Sequence, residues 1–334
     1  MRKNNLLLLG VAMMALASCT NEKVVDMPQS QMIKFGTFVN NNTRAVVEIS
    51  KNNLTHFSVF GSHSSNTENW SNDFTNVNVT GSASEERQNW TPEETAYWQM
   101  NNAYEFAAYS NGNEALNSGV TFDPSTKTLT FSNYEVTGKD LLVAMASKES
   151  KTSVEEYGTV DFSFYHMLSQ VKFTFKNTDS RDYTMKISEL KFSAKKSQAS
   201  GTYSSTGCEW QDGTEGEYKI LDLADIADGE IDKGHETESI LVLPQNTDNL
   251  QISFKATCTD KQGNKIAEGD FSASLDVDDQ AGSSDWKPGY RYNYTAEINA
   301  SIIDPELEKK EIKFTVQEVD GWKDSNIDIK PESK

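Results

Sequence analysis

The chain has 334 residues, 50 of them acidic against 31 basic, for a net charge of −19. Such an acidic surface argues against nucleic acid or an anionic bilayer face as partner, and favours solubility outside the cell. The length suits about two domains.

The chain starts with an address. Arg2 and Lys3 precede an apolar run, Leu6 to Ala17, that is short for a membrane span. Leu16-Ala-Ser-Cys19 follows and resembles the lipobox of bacterial lipoproteins. That resemblance implies cleavage between Ser18 and Cys19, and a diacylglycerol on the Cys19 thiol. Residues 1–18 are then a signal peptide and 19–31 a lipid-proximal linker. A lipid anchors a protein to a membrane without spanning it. The plain alternative is a cleaved signal with a chance cysteine.

Short strands come next. Met32 to Val39 places Ile33, Phe35, Thr37 and Val39 on one face. Three asparagines, Asn40 to Asn42, break it, and Thr43-Arg44-Ala45 follows. Leu54 to Phe60 reads as a strand, Gly61 to Asn72 as a polar loop, and Val77 with Val79 as another strand. Thr91-Pro-Glu-Glu94 has the pattern of a capping box and predicts one helical turn. Tyr104 to Tyr109 is a strand with aromatics on both faces. Val120 to Phe122 and Lys127 to Phe131 flank the turn residues Asp123-Pro-Ser125, a hairpin signal. Asp140 to Ala144 is a further strand, and Ser153-Val-Glu-Glu156 suits a capped turn. Lys148 to Glu156 is charged and reads as a protease-sensitive link between domains.

At mid-chain, Val160, Phe162 and Phe164 alternate with polar residues, then Val171, Phe173 and Phe175 do the same. The apolar parity switches from even to odd between them. One strand cannot keep a single buried face through such a switch. His166 to Ser169 is therefore a kink where the chain leaves one sheet and enters another. The domains expected are 32–157 and 158–334.

Beyond the kink, Tyr183 to Phe192 is strand-like, while Ser193 to Glu217 is poor in apolar residues and reads as loop plus a weak hairpin. Strands follow at Ser239 to Leu243, Leu250 to Ala256, Phe271 to Val277 and Tyr290 to Ile298. The last strand carries Ile312, Phe314 and Val316, with Trp322 beyond. Many short strands separated by turns predict an all-β chain of β-sandwiches.

Several patches, in order, resemble the fimbrillin family, the type V pilus subunits and surface lipoproteins of Bacteroidales. They are the Trp90…Tyr97-Trp98…Tyr104 to Tyr109 spacing, Asp140 to Ala144, and His166-Met-Leu-Ser-Gln-Val171. Leu243-Pro-Gln245, the Pro288-Gly-x-x-Tyr292 strand and the Ile312-x-Phe314…Trp322 strand complete the set. The resemblance implies two transthyretin-like β-sandwiches in tandem. It implies delivery to the outer membrane surface as a lipoprotein, with other pilus subunits as partners and a host or bacterial surface ligand for adhesion. It further implies assembly by strand donation, in which a protease removes the first strand and a strand from the next subunit fills the groove. Family members are cut after an arginine at about this point of the chain. Arg44–Ala45 is thus the candidate maturation site, against a structural turn with Arg44 paired to a carboxylate.

No catalytic, cofactor or metal residues stand out. His235-Glu236 begins a zinc motif, but Ser239 holds the position of its second histidine. Ser169-x-x-Lys172 has the spacing of serine acylases, on an alternating strand rather than the helical turn that chemistry needs. The acidic runs Asp276, Asp278, Asp279 and Asp222, Asp225, Asp228 are calcium loops or solvated turns, without the glycine and glutamate of an EF-hand. Cys208 and Cys258 are a disulfide pair or two buried thiols. The six Trp and twelve Tyr include core residues and a conceivable sugar-stacking platform. Two functions follow: a pilus or adhesion subunit, or a surface glycan-binding lipoprotein that does not polymerise. An enzyme is the poorest reading.

Overall fold

The computed structural model describes residues 31–39, 53–81, 90–179, 181–220, 235–277, 284–303 and 315–321. Short alternating segments become strands, in the order β1 (Lys34–Val39), β2 (His56–Ser64), β3 (Ser71–Thr80), β4 (Thr91–Pro92), β5 (Ala103–Asn111), β6 (Val120–Asp123), β7 (Thr128–Glu135) and β8 (Leu141–Lys148). A single 3-10 turn, Val154–Glu156, leads to β9 (Thr159–His166), β10 (Ser169–Asn177) and the long β11 (Thr184–Ser204). Then come β12 (Gly207–Trp210), β13 (Thr214–Lys219), β14 (His235–Glu236), β15 (Ile240–Val242), β16 (Gln251–Thr259), β17 (Lys265–Ser274) and β18 (Tyr290–Ile298). A short helix, α1 (Ala300–Ile303), precedes β19 (Thr315–Gly321). No helix among the described residues is long and apolar enough to cross a membrane.

Among the described residues the strands form three sheets. The first runs β1-β9-β8-β5-β2-β3-β4, the second β14-β10-β18-β19 with β15 also on β10. The third runs β17-β16-β11-β7-β6, with β12 and β13 on β11. The chain is nearly all β, consistent with tandem sandwiches.

Three cores fill the space. Successive residues of β5 point to opposite faces. Tyr104, Phe106 and Ala108 enter one core, roofed by Phe35, Phe162 and Phe164 of β1 and β9. Ala107 and Tyr109 enter a second, against Leu129 and Phe131 of β7 and Ala199 of β11. Both faces of β5 are thus covered, which is why it carries apolar residues on both, with Glu105 as the exception. The third core lies between β10 with β18 and β11 with β16.

The parity switch is where the periodicity places it. Val160, Phe162 and Phe164 lie in the first core, and Val171, Phe173 and Phe175 in the third. Met167 and Leu168 of the kink fill the second. The corner is tied from three sides. Met167 N donates to Leu141 O at 2.8 Å, Gly289 N to Leu168 O at 2.8 Å, and Trp210 Nε1 to Met167 O at 2.9 Å.

Three local readings change. Thr91 and Pro92 pair with Thr80 and Val79 instead of starting a helix. Glu93 N donates to Asn78 O at 2.9 Å, so sheet edge bonding overrides the local cap. Residues 193–217 are largely strand. β11 continues to Ser204 and turns into β12, and β13 returns along it. Small residues there serve packing, since a Cβ at Gly201 would come 2.6 Å from the Trp210 ring. Residues 148–156 are pinned rather than loose. Val154 and Tyr157 are buried, and the Tyr157 hydroxyl donates to Asn102 O at 2.6 Å. β9, which follows, pairs with β1 and β8.

Candidate functional site

β1 is held differently from its neighbours. It runs parallel to β9, from Lys34 opposite Thr159 to Val39 opposite Phe164. Its other edge meets residues 90–98 through isolated antiparallel bridges, Met32 to Tyr97 and Phe35 to Trp90. Ile33 N donates to Ala96 O, and Trp98 N to Gln31 O, both at 2.9 Å. The strand thus ends the first sheet on β9, and its outer edge is covered by residues 90–98.

Its alternation fills a row of sockets. Ile33, Phe35 and Thr37 are buried and Lys34 is exposed. The Phe35 ring meets Phe57, Phe74, Phe106 and Phe162 with centroids 5.5–6.3 Å apart. Between these plugs, Gly36 lies against the Asp161 carboxylate, which a Cβ there would strike. The counter-strand is anchored by an aromatic knot. Trp98 stacks on Tyr157 at 4.6 Å and meets Tyr104 edge-on at 4.7 Å. The Tyr104 hydroxyl accepts from Gln99 N at 2.6 Å, and burial raises its pKa.

The candidate cleavage residues Arg44 and Ala45, and the lipid site with its cleavage point, Ser18 and Cys19, lie outside the described residues. So do Asp222, Asp225, Asp228, Asp278 and Asp279. Asp276 accepts from Asn249 N at 3.2 Å, a turn contact.

The weaker chemical motifs are not assembled. Ser169 is fully buried and donates to Lys287 O, while Lys172 pairs with Glu236 at 2.8 Å. That ion pair also occupies the glutamate of His235-Glu236. His63 pairs with Asp73 at 2.9 Å and His166 with Asp140 at 2.8 Å, on separate parts of the first sheet. Burial raises the Asp73 carboxyl above its ordinary range, and the His63 contact opposes it. No metal-ligand cluster occurs among the described residues.

Cys208 and Cys258 are free thiols, not a disulfide. Cys208 sits opposite Tyr203 and Cys258 opposite Met185, both on β11. At about 3.3 Å per residue along an extended strand, those positions are up to about 60 Å apart. Burial pushes the thiols up, to about 12 for Cys208 and about 11 for Cys258.

Sequence reading missed the counter-strand opposite β1, because the Thr91-Pro-Glu-Glu94 pattern suggested a turn of helix. The signal was Trp90 and Trp98, large apolar residues flanking that pattern.

A family model described as fimbrillin-like matches residues 43–322. This chain belongs to the fimbrillin-like family. Among solved structures, a fimbrial protein of Bacteroides vulgatus aligns with a TM-score of 0.59 at 16% identity, over 87% of this chain and 99% of that one. A candidate cell adhesion protein of Bacteroides uniformis aligns with a TM-score of 0.49 at 19% identity, over 88% and 99%. The first of these likenesses shows the fold. No curated protein matches this fimbrillin-like chain.

Proposed function

We propose that this chain is a pilus or adhesion subunit of the cell surface, assembled by strand donation. The observation that carries the reading is the seating of β1, a short strand near the start of the chain, slotted between β9 and residues 90–98. Family membership and the fimbrial relative point the same way. In this reading the chain is exported as a lipoprotein, anchored to the outer membrane through Cys19, and cut between Arg44 and Ala45.

The physical consequence of losing β1 is definite. Ile33 and Phe35 each contribute about 1.5–3 kcal/mol by burial. Their removal bares the aromatic floor and leaves one edge of β9 unpaired, an invitation to another strand. The sockets ask for an aliphatic side chain, then an aromatic one two residues on. Ile312-Lys313-Phe314 repeats Ile33-Lys34-Phe35 in sequence, so a second copy of this chain carries a matching donor segment. Thr315, which pairs with Thr295 at the start of β19, would have to leave β18 to stand where Gly36 does, against Asp161, whose carboxylate end must swing aside.

The test is low-dose trypsin on purified protein, followed over time by size. Preferential cutting at Arg44 followed by SDS-resistant multimers is expected. A clipped product that stays monomeric, or an Arg44 bond that resists, refutes the reading. The lipid step is separable: Cys19→Ala abolishes labelling by palmitate and leaves an uncleaved precursor.

A further inference from the structure

We infer that the cleft where the first and third sheets part, at the Glu105–Lys127 pair, binds one neutral hexose unit of a glycan. This does not depend on strand exchange.

On the face of β5 that carries Ala107 and Tyr109 into the second core, the next position is a carboxylate. Glu105 is only 7% exposed. A charge on a core-facing strand position costs desolvation unless it is paired. Its two oxygens are held by different elements. Ser147 Oγ of β8 donates to one at 2.5 Å, and Lys127 Nζ approaches the other at 2.7 Å. Lys127 comes from the β6–β7 hairpin with φ of 51°, a left-handed backbone that non-glycine residues seldom adopt.

Apolar packing thins at this end of the sheets, where Phe122, Met145 and Tyr203 are only partly buried against the second core. A cleft of about 290 Å³ opens there, with Phe122, Met145 and Tyr203 as walls and Ser204 at the rim. Outside it, Tyr165 is 45% exposed and lies 6.2 Å from Tyr203, ring to ring.

The lining selects a chemistry. A carboxylate accepts, an ammonium donates, and serine hydroxyls do both. Aromatic walls offer flat apolar faces. A hexose has the matching parts, hydroxyls that donate and accept around a ring with an apolar C–H face. The Glu105–Lys127 pair is neutral overall, so an anionic or cationic ligand gains no net attraction. Glu105 is already compensated by Lys127 and Ser147, but the Lys127 ammonium has further N–H donors, which a purely apolar ligand would leave unused. The volume lies near the lower limit for ligand sites, which suits one ring rather than a chain.

The test is saturation-transfer NMR on the intact chain with the methyl α- and β-pyranosides of galactose, glucose and mannose. Transfer to at least one glycoside is expected. Tyr165→Ala alters an exposed ring and keeps the fold, whereas Lys127→Gly suits the left-handed backbone but leaves the Glu105 carboxylate without its ammonium partner, so its melting temperature falls and its binding is read below that temperature. Each should weaken binding about tenfold, as the loss of one charge-assisted bond or one stacking face would. Melting temperature checks that the fold is intact. No transfer to any of the glycosides overturns the proposal, and so does transfer that is unchanged in either variant.

Discussion

Phe35 of β1 lies face to face on Phe162 of β9, with ring centroids 5.8 Å apart and planes 18° from parallel. The stack caps a floor made by Phe57, Phe74 and Phe106. One side chain of the first strand therefore joins the two halves of the first core.

Phe35→Ala should lower the unfolding free energy by about 3–5 kcal/mol, the usual cost of emptying an aromatic site. Lys34→Ala, one residue away and exposed, should stay within about 0.5 kcal/mol. Urea denaturation of the two variants measures the contrast. Equal effects would mean that β1 is not seated by its apolar face.

β11 runs past both the second and the third core. Its first half pairs with β16 and its second with β7, and Met167 and Leu168 plug the core between them. Unfolding of the uncut chain should therefore be one cooperative transition, with calorimetric and van't Hoff enthalpies equal. Two resolved transitions would show that β11 does not couple the halves.

Asp179 sets an acid limit. Its side chain is 3% exposed and accepts from Arg181 Nε and Nη2, each at 2.8 Å, and from Ala300 N at 2.8 Å. The Arg181 guanidinium, more than backbone bonding, holds the carboxyl down at about 2. A carboxyl with a lower pKa folded than unfolded stabilises the protein above its unfolded value, near 3.9. That contribution is lost as pH falls from about 4 towards 2. Urea midpoints at pH 5 and pH 2.5 should differ less in Asp179→Asn than in the wild type. An identical pH difference in both would rule this contribution out.

Cys258 is fully buried and should react with a thiol reagent only after unfolding, whereas the partly exposed Cys208 should react slowly in the native state. In a Cys19→Ala background, native protein should give at most one reactive thiol and urea-unfolded protein two per chain. Reductant should leave the melting temperature unchanged. A drop on reduction would mean a disulfide.

What the sequence determined by itself was local and periodic. Alternation placed most strands, because a half-buried sheet imposes a period of two on side-chain polarity. The parity switch between Phe164 and Val171 located the corner, because a strand cannot change its buried face without a break. The ordered aromatic and Pro-Gly patches marked the family. Tertiary structure decided the rest. Thr91-Pro-Glu-Glu94 has the local chemistry of a helix start, and only the edge of β3 and the bridge from Trp90 to Phe35 turn it into strand. Residues 193–204 lack apolar periodicity because Gly201 and its small neighbours pack beneath Trp210, a partner known only once the chain folds back. The buried charge of Glu105 was invisible for the same reason. On β5 it follows Tyr104 and precedes Phe106, and only the approach of Lys127 and Ser147 makes a carboxylate tolerable there. Periodicity reports which face a residue occupies; which partner meets it there depends on contacts far apart in the chain.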